Sequence, residues 1–310
     1  MAGRINRAIE LLERDQAIYY TGGHTGHVLT YEQGCADANT WADYINLGME
    51  HGSFDMAGLA AYMRGLVDGG PAPTGHRTPT VVVEAPVNGL DEDSIRVNAW
   101  QFRQMLARGV HGILLCQAES ADAVRAFIEA CRYPHQLTGV DKELPSPVER
   151  MRGAAVRPPR SGCLGVGWRG RGSENTAAPI WGISTEEYLD RCDPWPLNPR
   201  GELLLGVKLE SPEGVAHCEE ILDVPGLGFA ELGPGDLGLS LGYVNVPHDP
   251  YPAEMLEARA RVFGACRARH IPFLEGATPE NVRAKLDEGV RVIAGGREET
   301  ARIGRAHSGR

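Results

Sequence analysis

The chain has 310 residues, 42% of them apolar, enough for one large barrel or two average domains with a sizeable core. Its net charge of −10 and pI near 5.5 exclude a nucleic-acid or anionic-membrane surface, since either polyanion would be repelled over much of the protein. A small-molecule substrate fits better, and the seven scattered cysteines, odd in number and without a Cys-x-x-Cys pair, fit reduced thiols in a cytoplasmic, soluble protein without structural zinc.

Taken in chain order, the N-terminal "MAGRINRAIELLERDQAIYY" has no apolar stretch of signal-peptide length, and no segment reaches the roughly 20 apolar residues of a membrane span. Short runs rich in branched residues then recur between stretches of helical periodicity. They predict strands at 17–21, 43–47, 80–84, 112–115, 203–209, 228–232, 271–274 and 291–294. The intervening periodicity predicts helices at 56–67, 94–107, 120–131, 212–221, 253–269 and 279–287, several opened by Ser or Pro in the first turn. Eight strand–helix repeats imply an α/β fold, a single (β/α)8 TIM barrel over 1–310.

The repeat is interrupted between strands four and five. Residues 134–202 are rich in Gly, Pro and Arg without clean periodicity, and read as a long loop insertion, a lid or an oligomer contact. Trp168, Trp181 and Trp195 mark it as a segment that packs, and Arg169 and Arg171 are cations it would bring over the barrel mouth. Within it "GVGWRG" has the letters of a dinucleotide fingerprint, but no strand precedes it and no helix follows directly, so no nucleotide site is expected. The terminal "RIGRAHSGR" reads as a frayed basic tail.

In a parallel barrel, chemistry sits where the strands end. The second strand runs into Glu50 and His51, the third into Glu84, the fifth into Lys208 and Glu210, and the sixth into Glu231 and Asp236. Glu210 and Asp236 are 26 positions apart, one βα unit, so they belong on neighbouring strand ends, where two carboxylates suit a hard divalent cation such as Mg²⁺ or Mn²⁺. Glu-His at a strand end favours a general base at His51. Alternatives stand beside each: Asp236 as a helix cap, Glu210 paired with an arginine, His51 as a satisfied core residue. His24 and His27, after strand one, and Gln117, after strand four, read as pocket lining.

"NLGMEHGSFD", "GVKLESPEGV", "VPGLGFAELGPGDLGLSLG" and "FIEACRYP" together resemble the HpcH/HpaI aldolase family, metal-dependent class II pyruvate aldolases related to citrate lyase β subunits. The resemblance spans about residues 17–300, apart from 134–202. It implies a homo-oligomeric barrel (a hexamer or trimer of dimers, with an exchanged terminal helix) that binds Mg²⁺, Mn²⁺ or Co²⁺. The implied reaction is reversible cleavage of a 4-hydroxy-2-oxo acid into a 2-oxo acid, usually pyruvate, and an aldehyde. By the same resemblance Glu210 and Asp236 are metal ligands, the Gly235 N–H meets the substrate carboxylate, and His51 is the base.

Three positions depart from the family pattern. Gly48 stands where an Asp partners the His, Glu84 where an Arg binds substrate, and Lys208 where a Gln is usual. The last two changes are read as linked, a cation moved from one strand to another, with Glu84 or Glu231 as the partner of Lys208; an unpaired lysine inside a barrel would be costly. Lys208 also admits a Schiff-base lyase. A CoA-thioester lyase and a non-catalytic barrel that keeps its metal cage are the remaining readings.

Overall fold

Period-two alternation along each strand decides what the barrel encloses. In the computed structural model, which describes residues 3–246 and 250–310, the strands are β1 (Ile18–Gly23), β2 (Tyr44–Gly48), β3 (Thr80–Asn88), β4 (Gly112–Cys116), β5 (Pro194–Trp195), β6 (Leu203–Leu209), β7 (Phe229–Leu232), β8 (Phe273–Gly276) and β9 (Val292–Ala294). All pair in parallel. The ring runs β4-β3-β2-β1-β9-β8-β7-β6 and closes where Gly112–Leu115 of β4 lies beside Leu204–Val207 of β6. The two-residue β5 only flanks β6. The eight barrel strands are those expected from sequence, with ends displaced by a few residues; β3 continues to Asn88 through an irregularity after Glu84.

One face of each strand packs under the surrounding helices, and the other fills the barrel. Ile18, Tyr20, Tyr44, Val82, Leu114, Leu204, Phe229, Leu274 and Val292 form the interior cluster. Its lower end is plugged by Ala8, Ile9, Leu11 and Leu12 of the helix Arg7–Leu12, which Asn6 caps by accepting from the Ala8 and Ile9 amides. Each such fully buried Leu or Ile contributes about 1.5–3 kcal/mol. Midway up, Gly206 leaves room for the Phe229 ring: a Cβ there would lie 2.4 Å from its Cζ.

The 134–202 segment departs from expectation. It is not a long loop, for it carries the helices Pro147–Met151, Glu174–Trp181 and Thr185–Arg191 as well as β5. Nor does its helical half cover the mouth. Trp181 Nε1 donates to Gly109 O at 2.8 Å, its ring stacks on His111, and Thr176 Oγ1 donates to Ala107 O, so it is anchored where the chain enters β4. Arg169 is buried there, its guanidinium over the Tyr133 ring and hydrogen-bonded to Ser173 and Tyr188. Arg171 pairs with Glu174. Periodicity failed to mark these helices because each is under nine residues and is held by long-range contacts. "GVGWRG" packs on the helix Ala121–Cys131, Gly165 N donating to Glu129.

Other short helices were likewise unmarked: Tyr31–Asp37, Pro234–Ser240 and Glu298–His307. The helix expected at 212–221 divides at His217 into Pro212–Ala216 and Cys218–Leu222. The C-terminal residues, expected to fray, are tied down by Arg310, which bonds Asp43 and the Ala17 carbonyl. Among the described residues no helix is long and apolar enough to cross a membrane. Because a side chain at position 206 would clash with the Phe229 ring, Gly206→Val is expected to lower unfolding stability by about 1–3 kcal/mol, read by chemical denaturation.

Candidate active site

The alternation that puts Leu204 inside the barrel at its lower end puts Lys208 inside at its upper end, and on the neighbouring strands it turns Asn46, Glu84, Cys116 and Glu231 inward. This creates a polar layer directly beneath the mouth. Lys208 Nζ donates to Glu50 Oε2 at 2.7 Å and lies 3.7 Å from Glu84 and 4.0 Å from Glu210. The linkage inferred between Lys208 and Glu84 is thus present in space, but the nearest partner is Glu50, and among the described residues Glu231 is not within ion-pair distance. Burial works against the ammonium, yet the surrounding carboxylates Glu231, Glu210 and Glu84 outweigh it and hold the lysine above its ordinary pKa.

Two glycines shape this layer. A Cβ on Gly233 would fall 2.1 Å from Glu210 Oε2, so the turn after β7 closes directly onto that carboxylate. A Cβ on Gly48 would fall 2.1 Å from the His24 carbonyl oxygen. The loop after β1 therefore occupies the space that an Asp side chain at position 48 would need. It also carries His24 inward, where Nδ1 lies 2.7 Å from Glu84 Oε1, the oxygen that accepts from Asn46 Nδ2. Burial raises the Glu84 carboxyl, but His24 and Lys208 bring it below its usual range.

Of the residues singled out from sequence, His51 is half-exposed at the mouth, its Nε2 3.6 Å from Glu50 Oε2 and 4.0 Å from Asp236 Oδ2. Glu210 is buried and accepts the Gln117 amide at 2.9 Å; Gln117 takes a left-handed φ of 45° to aim that N–H. The Gln117 side chain turns away, to Asn88. Asp236 lies in the first turn of Pro234–Ser240 without capping it, and no arginine pairs with Glu210 among the described residues, so both alternative readings fall away. Gly235 faces open space. His27 pairs instead with Asp37, beside Tyr62.

Sequence reasoning noted Glu50 but assigned it nothing, although it is common to both acidic groups here. Ligand atoms of Glu50, His51 and Asp236 lie within 4.8 Å of one another, and so do those of Glu50, Cys116 and Glu210. The signal was its place beside His51 at a strand end; its reach to Lys208, 158 positions away, was invisible. Burial pushes the Glu210 carboxyl up to about 8, and that of Glu231 to about 7.

The donor set fits a hard divalent cation. Glu50 Oε1 is buried without a hydrogen-bond partner, Glu50 belongs to both groups of possible ligands, and a nearby positive charge would restore ionised Glu210. Burial holds the Cys116 thiol well above its ordinary pKa, which leaves oxygen donors as the natural ligands.

Comparisons with known proteins give the family and the fold. The profile of the family described as HpcH/HpaI aldolase/citrate lyase matches residues 75–303. The chain is 25% identical over 245 residues to a hydroxypyruvate/pyruvate aldolase of Roseobacter denitrificans, covering 77% of this chain and 79% of that protein. It is 24% identical over 240 residues to a 4-hydroxy-2-oxo-heptane-1,7-dioate aldolase of Shigella flexneri, covering 76% and 74%. A crystal structure of an HpcH/HpaI aldolase/citrate lyase family protein from Burkholderia cenocepacia superposes with a TM-score of 0.66 at 20% identity, covering 97% and 96% of the two chains, and shares the fold.

A methyl group on Gly233 would displace Glu210 and leave the rest of the barrel in place. Gly233→Ala is therefore expected to weaken Mn²⁺ binding about 10- to 100-fold by isothermal titration, with an unchanged circular dichroism spectrum.

Proposed function

The chain belongs to the HpcH/HpaI aldolase/citrate lyase family and is a carbon–carbon lyase, and from that premise we propose that it cleaves and forms 4-hydroxy-2-oxo acids with the help of a divalent cation. The observation that supports this most directly is that Glu50 joins two candidate ligand groups at one barrel mouth, one with Glu210 and one with His51 and Asp236, and has a buried carboxylate oxygen left unpartnered. Glu210 and Asp236 would hold the cation, Mg²⁺ or Mn²⁺, with Glu50 behind them. When bound, that ion supplies positive charge where the 2-oxo acid develops negative charge.

The chain's own residues do the rest. Gly235, at the start of a helix turn and with open space on its Cβ side, would offer its N–H to the substrate carboxylate. His51, held between Glu50 and Asp236 and open to solvent on one side, takes the 4-hydroxyl proton as the C3–C4 bond breaks and returns it in the synthetic direction. Lys208 is held as an ammonium by Glu50, in contact with Glu84 and Glu210, and so lacks the free amine that a Schiff base requires. Its part is to neutralise acids beneath the site.

Protein stripped with EDTA is expected to lose cleavage of a panel of 4-hydroxy-2-oxo acids and to regain it with Mn²⁺, while borohydride with pyruvate leaves no adduct on Lys208. Full activity in EDTA, or a trapped lysine, would overturn the metal route. His51→Ala is expected to lower kcat by about 10²–10⁴-fold in the same assay.

A further inference from the structure

Two half-exposed imidazoles face the barrel mouth, and the reaction above uses only His51. The other, His24, reaches its place because glycines let the β1 loop lie against the β2 loop. A Cβ on Gly48 would meet the His24 carbonyl at 2.1 Å, and one on Gly52 would meet Gly26 Cα at 2.7 Å. His24 Nδ1 sits 2.7 Å from Glu84 Oε1, on a carboxylate only 1% exposed and fixed from the other side by Asn46. Its Nε2 is 3.4 Å from the Tyr20 hydroxyl, a long hydrogen bond that can carry the proton on either atom.

A half-exposed ring with one nitrogen at ion-pair distance from a buried acid and the other on a hydroxyl has the construction of a general acid–base group. The charged and titratable groups around it are Tyr20 on β1, Glu84 on β3, Lys208 on β6 and Glu231 on β7, with Glu50 beyond Lys208. Glu84 raises the imidazole pKa above its ordinary value against the opposing effect of burial; Glu231 adds to the rise and Lys208 reduces it.

We propose that His24, oriented by Glu84, is a second catalytic acid–base residue of this site, exchanging the proton at C3 of the 2-oxo acid while His51 exchanges the proton of the 4-hydroxyl. The proposal rests on the aldolase reading. In cleavage the hydroxyl proton passes to His51, and the electron pair of the C3–C4 bond moves into the 2-oxo acid fragment as an enolate. The aldehyde leaves, and the His24 imidazolium gives its Nε2 proton to C3, completing the methyl group of pyruvate. In synthesis neutral His24 removes that proton. The two protons move at different atoms, and separate groups spare one imidazole from serving both.

The test is deuterium exchange into the methyl group of pyruvate in D2O, followed by proton NMR with Mg²⁺ present and no aldehyde. Removal of the C3 proton needs the neutral imidazole, so wild-type exchange rises with pH through the His24 midpoint and levels off above it. His24→Gln is expected to lose about 10²–10⁴-fold of the exchange rate together with that pH limb. Glu84→Gln retains the limb but moves it to lower pH, because the carboxylate that favours the imidazolium is gone. An imidazole NMR titration of the metal-free protein reads the same shift without catalysis, the His24 resonance being assigned by its absence in His24→Gln. Exchange within twofold of wild type in His24→Gln overturns the proposal, and so does a His24 midpoint no higher than that of an ordinary imidazole. A wild-type protein that neither exchanges pyruvate nor cleaves any hydroxy-oxo acid overturns the aldolase reading and the His24 assignment together.

Discussion

One ammonium organises the upper half of this barrel. Lys208 is 4% exposed, too deep for water to solvate its charge, and the acids around it could not all stay ionised in so small a volume without it. Glu50 takes the short contact; Glu84 and Glu210 share what remains. Removing either member of the short pair would strand a buried charge, a loss of about 3–5 kcal/mol. The pair also joins loops and strands distant in sequence, since Glu50 follows β2, Glu84 lies on β3 and Lys208 on β6. The site is therefore held by electrostatics above and by apolar packing of the Arg7–Leu12 plug below.

The three departures from the family pattern become one arrangement when placed around this ion pair. Gly48 lets the β1 loop approach; the loop delivers His24 to Glu84; Glu84 in turn faces Lys208. An arginine at position 84 would confront both His24 and Lys208 with a like charge at contact distance, and an aspartate at 48 would collide with the His24 carbonyl. Each substitution is thus physically conditioned by the others. The basic groups at this side of the mouth are now the His24 imidazole from the loop after β1 and the Lys208 ammonium from β6.

How much could be read in advance follows from the range of the interactions involved. The barrel strands were legible because Val81, Val82 and Val83, or Leu203, Leu204 and Leu205, are branched or apolar runs with turn chemistry at their ends, a local signal. The helices Glu174–Trp181 and Thr185–Arg191 were not, because what holds them is Trp181 on His111 and Arg169 on Tyr133 and Tyr188, contacts between distant segments. The C-terminal residues misled for the same reason: Arg310 is fixed by Asp43, 267 positions away.

By itself the sequence determined the fold class and the strand ends after which His51, Glu210 and Asp236 lie, since period-two alternation and strand–helix spacing are local properties of a chain. Only the tertiary structure decided that Lys208 belongs first to Glu50, that Gly48 is imposed by a neighbouring loop, and that His24 rests on Glu84. Those are contacts made by barrel closure, which brings together residues whose separation along the chain carries no trace of their distance in space.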